Sequence, residues 1–179
     1  EIIVNDEDPG FHTVSKTKEP LLKRVLRLGD VEDQTYIPLR PRTPPATWRP
    51  TVGDNFYGFL RITARYIRAG NGDNRAVWQA KLNQNGNYDV YFYSSSLPFM
   101  QRGGDRGREG GRGGGGERGG RTQMNFLDDY HFFVHHEDGV DEVVLDMKQA
   151  KEGWLLLGSY YFSAGEAEVE LTDRTKGRV

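Results

Sequence analysis

Four aromatic side chains and one arginine are the residues of this chain best suited to holding a ligand: Trp48 beside Arg49, then Tyr91, Tyr93 and Phe133. The apolar face of a pyranose stacks on a flat exposed ring, while amides, carboxylates and guanidinium groups bond its hydroxyls. Tyr88, Val90 and Phe92 share one face of a strand-like run, which leaves Tyr91 and Tyr93 on the other. Phe133 is likewise out of phase with Tyr130, Phe132 and Val134, so the three rings are expected to form one exposed patch. Trp48 stands in a Pro-rich stretch, whereas Trp78 and Trp154 fall in phase with apolar positions and are expected in the core. A glycan accounts for an exposed aromatic patch, and so does packing against a neighbouring domain, a partner or the Pro-rich stretch. The residue types leave both readings open.

The acidic turn of residues 5–8 supplies hard oxygen ligands in Asn5, Asp6 and Asp8, with Asp173 able to join them if the terminal strands are neighbours. That set suits a structural Ca²⁺, although the spacing is not that of an EF-hand. The histidines do not make a metal motif by spacing. His131 and His135 share a strand face but lie two pleats apart, roughly 13 Å, too far to grip one ion, and His135 and His136 point to opposite faces. Helical His/Glu spacing, a nucleophile elbow and a phosphate loop are all missing from the sequence. No particular carboxylate pair stands out for glycoside cleavage, and the expectation is a non-catalytic chain.

Charge and composition narrow the partners. The chain of 179 residues has a net charge of −2 and no cysteine, which excludes disulfides, thiolate metal sites and thiol catalysis. Residues 102–121 hold eleven Gly, six Arg and three acids and nothing else. Without them the body is mildly acidic, which argues against a broad nucleic-acid surface. The insert has RGG triplets but lacks the interleaved aromatics that stack on RNA, and acids dilute its charge, so it is expected to be a disordered loop. No apolar run approaches the length of a membrane span.

These side chains need strands to position them. Alternation predicts strands over 2–4, 56–67, 76–82, 88–93 and 130–135, then three more across 140–171. Asn85-Gly86, Asp138-Gly139 and Ala164-Gly165 read as tight turns between paired strands. One short helix is expected over 20–28, with Pro20 in its first turn and Gly29 as its stop. The result is an all-β, antiparallel two-sheet sandwich of jelly-roll or galactose-binding-like type, a single module over 1–179 that reads as cut from a longer chain.

An ordered series of short motifs adds a resemblance. Ile2 to Phe11 (IIVNDEDPGF), Ala76-Val77-Trp78 and Gly86 to Tyr91 (GNYDVY) begin it. His136 to Gly139 (HEDG) with Gly153-Trp154, Leu157 to Tyr160 (LGSY), Phe162 to Gly165 (FSAG) and Val169 to Asp173 (VELTD) complete it. Together they resemble the golvesin/xanthan-lyase carbohydrate-binding-like domain of bacterial surface proteins. The resemblance implies a non-catalytic module of an exported polysaccharide-active or cell-surface protein, with polysaccharide or neighbouring domains as partners. The alternative is a structural module that packs in a surface assembly and binds no glycan. The motifs matched include nothing of a lyase active site.

Overall fold

Period-two alternation carries through to nine strands in the computed structural model of the chain, which describes residues 1–15, 35–39, 43–54, 56–58, 62–95 and 129–175. The helix expected over 20–28 and the Gly/Arg insert of 102–121 lie outside the described residues. The strands are β1 (Phe11–Ser15), β2 (Arg49–Val52), β3 (Thr63–Tyr66), β4 (Asn74–Leu82), β5 (Gly86–Ser94), β6 (Asp129–His136), β7 (Gly139–Asp146), β8 (Gly153–Phe162) and β9 (Gly165–Thr172). Five of them form an antiparallel sheet in the order β1-β4-β9-β6-β7, while β2 pairs with β3 and β5 with β8. The architecture is an all-β sandwich, and no helix among the described residues is long and apolar enough to cross a membrane.

The inner faces make the core. Phe92 of β5 meets Phe132 and Tyr130 of β6 with ring centroids 4.9 Å and 6.0 Å apart. Ile67, Ala76, Leu82, Val134, Leu157, Phe162 and Leu171 close around them. Burying side chains of this size stabilises the fold by about 1.5–3 kcal/mol each, before the entropy of ordering them is counted.

One of the three expected hairpin turns holds and two do not. Asp138-Gly139 does turn a hairpin, β6 to β7, with Gly139 at a φ of 136°. Asn85-Gly86 and Ala164-Gly165 instead carry the chain from one sheet to the other, because β4 pairs with β1 and β9 while β5 pairs with β8. The two crossings lie together, tied by the Ala164 amide donating to Asn85 Oδ1 at 2.6 Å. Turn residues report a reversal of direction, and the sheet that the next strand joins is decided by burial on both faces. Residues 2–4 are not a strand: Ile2 and Ile3 are exposed, and the edge of β4 is occupied by Phe11–Ser15.

Candidate functional site

The β5–β8 ribbon has one buried face and one open face. Tyr88, Val90 and Phe92 point into the sandwich with Leu157 and Phe162. The register then sets Tyr93 opposite Trp154 and Tyr91 opposite Leu156 on the outer face. A β-bulge lies at this point: Val90 pairs with Gly158 and Tyr91 with Leu156, which leaves Leu157 as the extra residue. The extra residue restores Tyr160 and Phe162 to the inner face while Trp154 and Leu156 stay outside. Gly158 belongs to the same device, since a Cβ there would press on the Tyr160 ring at 2.7 Å.

Three rings on that open face touch one another. Tyr57 lies 5.0 Å from Tyr93 and 5.2 Å from Trp154, and Tyr93 lies 5.3 Å from Trp154, all between ring centroids and at steep interplanar angles. Contacts of this kind hold rings in a fixed relation. The platform is open: Trp154 is 45% exposed, Tyr91 48% and Leu156 51%. Further along the same face the Ser159 hydroxyl donates to Asp89, and Tyr161 is also exposed. Flat rings with a hydroxyl and a carboxylate at one end can stack on a sugar and bond its hydroxyl groups.

The structure brings together some of the expected residues and separates others. Tyr91 and Tyr93 do share an exposed face. Phe133 does not join them: it lies on the outer face of the five-stranded sheet, opposite Glu142 and Glu170, so the sandwich stands between it and the tyrosines. Trp48 is in the core, 7% exposed, and Arg49 begins β2 beside it, half-buried and paired with Tyr66. The Pro-rich stretch folds Trp48 inward because Pro50 and Thr51 next to it are buried as well. Trp78 packs against the core as expected, but Trp154 does not. Its apparent phase with the core came from counting through Leu157 without the bulge, and Tyr57 carried no signal in the sequence.

Three of the oxygen ligands expected for Ca²⁺, Asp6, Asp8 and Asp173, accept hydrogen bonds from within the chain. Asp6 is buried and accepts from the Thr63 hydroxyl, and Asp8 accepts from the Asn5 amide at 2.7 Å. Burial raises the Asp6 carboxyl above its ordinary value, against the lowering effects of Thr63 and Arg65. Asp173, 1% exposed, accepts from the amides of Gly72 and Asn74 and from the Asn74 side chain. Its own backbone carbonyl accepts from the Gly70 amide.

Among the described residues, the cluster with metal-ligand geometry is a different one, His135, Glu168 and Glu170 on the outer face of the five-stranded sheet. His135 stands opposite Glu168 and diagonal to Glu170 in the β6–β9 register. Its Nε2 lies 3.6 Å from Glu168 Oε1 and 3.8 Å from Glu170 Oε1. The two glutamates are two residues apart on β9, and only strand pairing sets the histidine beside them.

No family model matches the chain, and no curated protein matches it. Among solved structures, that of a Paenibacillus xanthan lyase is similar, with a TM-score of 0.50 and 22% sequence identity. The match covers 76% of this chain and 11% of the lyase chain. The likeness is one of fold: this chain has a sandwich like one part of a much larger protein.

Proposed function

We propose that this chain is a non-catalytic carbohydrate-binding module of an exported bacterial protein that acts on polysaccharide or coats the cell surface. The observation that carries the reading is the open platform of Tyr57, Tyr93 and Trp154, flanked by Tyr91. Large rings are normally buried or paired with a partner. Here Trp154 and Tyr91 face solvent on the β5–β8 ribbon, with Trp154 braced by half-buried Tyr57 and Tyr93. The fold shared with part of a xanthan lyase supports a polysaccharide context. Stacking supplies the affinity, Asp89 and Ser159 bond hydroxyl groups, and the parent protein performs any chemistry.

The test is affinity electrophoresis and calorimetry against a panel of soluble polysaccharides that includes xanthan. The expected result is binding that falls at least tenfold in Trp154→Ala and Tyr93→Ala, with Phe133→Ala unchanged. A folded chain that binds nothing in the panel, or binds equally well without Trp154, refutes the reading. The second reading, a packing face for a neighbouring domain, is favoured by the exposed aliphatic Leu156 within the platform.

A further inference from the structure

We infer that His135, Glu168 and Glu170 bind a divalent transition-metal ion of the Zn²⁺ type on the outer face of the five-stranded sheet. The three ligand atoms lie within 4.8 Å of one another. Nitrogen and oxygen ligands at ordinary zinc distances stand about 3.3–3.5 Å apart around a tetrahedral ion. The separations of 3.6 Å and 3.8 Å from His135 Nε2 to the two carboxylates are too long for hydrogen bonds and lie a few tenths of an ångström beyond that spacing.

The second observation is the state of the histidine. His135 Nε2 is shut off from solvent and has no hydrogen-bond partner, although it is aimed between two carboxylate oxygens. His131, on the same strand face, shows the contrasting arrangement, with Nδ1 at 2.7 Å from Glu142 and Nε2 at 3.2 Å from Asp129. One histidine is satisfied by protein groups, and the other has a buried ring nitrogen facing two carboxylates with no hydrogen bond to either.

Both carboxylates are also held by neighbouring side chains. Gln79 Nε2 donates to Glu168 Oε2 at 2.8 Å, which leaves Oε1 turned toward His135. Arg75 bonds both oxygens of Glu170, at 3.2 Å and 3.0 Å. Outer partners that fix the rotamers of ligating side chains are a regular part of metal sites. Arg75 also offsets one negative charge, so the site suits an ion held by a nitrogen ligand better than Ca²⁺, which takes six or more oxygens. The ion would join β6 to β9, with water completing its coordination.

The test is calorimetric titration of the tag-free, chelator-treated chain with ZnCl₂, alongside thermal unfolding with and without the ion. The expected result is one equivalent bound and a higher melting temperature, because an ion bound only by the folded state stabilises it. Affinity should fall at least tenfold in His135→Ala and in Glu168→Gln, and stay unchanged in His131→Ala and His12→Ala. Circular dichroism confirms that each variant folds, and His135→Gln serves if the alanine variant does not. No stoichiometric uptake by the wild type, uptake unaltered by removing His135, or equal loss on removing His131 each overturns the assignment.

Discussion

Asp6 shows how a single side chain links burial to pH. Its carboxyl is raised above 3.8 chiefly by burial, so the folded state keeps the proton to higher pH than the unfolded chain does. Its contribution is therefore fully present below the unfolded value and is lost as pH rises through the folded one. Asp6→Asn keeps an acceptor for Thr63 and removes the charge. Its melting temperature should equal or exceed that of the wild type at neutral pH, with the gap closing as pH falls toward 3.8. A variant less stable at neutral pH than at acid pH, relative to wild type, would show that the ionised form is the one the fold favours. Phe132 makes a simpler case. It is 1% exposed and touches Phe92, so Phe132→Ala should cost about 3–5 kcal/mol in urea unfolding. Trp154→Ala, with its ring 45% exposed, should cost far less, which allows binding and stability to be separated at the platform.

At the scale of elements, the crossings between sheets and the buried Asp173 corner hold the layers together. Gly70 admits Asp173 to its place, since a Cβ at that position would fall on the carboxylate. Gly70→Ala should therefore destabilise the chain by about 1–3 kcal/mol, the cost of leaving buried polar groups badly paired. Thermal unfolding checks it, and an unchanged midpoint would mean that the corner relaxes freely. The bulge at Leu157 works at the same scale. A strand of the same residues without the bulge would set Trp154 and Leu156 on the same side as Tyr160 and Phe162, so that one of the pairs faced the wrong way. Deleting Leu157 takes out the unpaired residue and keeps both pairs on their present faces, so it should cost about 2–5 kcal/mol for the lost buried side chain in urea unfolding and leave the outward direction of Trp154 unchanged.

Across the whole molecule, the sandwich puts two sites on opposite outer faces. The aromatic platform lies outside the β5–β8 ribbon, and the His135 cluster lies outside the five-stranded sheet, with the core between them. They share no residue, so their effects should add: Zn²⁺ leaves polysaccharide affinity unchanged, and Trp154→Ala leaves Zn²⁺ affinity unchanged. If the platform binds polysaccharide by stacking, as proposed, the affinity should be insensitive to salt, unlike attraction between exposed charges. A steep salt dependence in the titration would point to charged groups in place of the platform.

Local pattern was enough to read β4 to β9, the all-β class and the outward direction of Tyr91 and Tyr93, because alternation along a strand is a property of consecutive residues. The short β1 and β2 carried no such pattern, and residues 2–4 carried one without forming a strand. It also identified Asp138-Gly139 as a hairpin, since the turn and both flanking strands lie within one short stretch. Tertiary structure alone decided the rest. Asn85-Gly86 and Ala164-Gly165 reverse the chain in either case, and only the pairing of β4 with β9 and β5 with β8 shows that they change sheets. Trp154 reached the surface through a bulge that shifts the phase by one residue, and Trp48 reached the core through long-range packing of an irregular stretch. Tyr57 joined the platform, and His135 met Glu168 and Glu170, across separations that no local period records. The physical reason is the same throughout: alternation sets the face a side chain takes, while register and the packing of layers set which side chains meet.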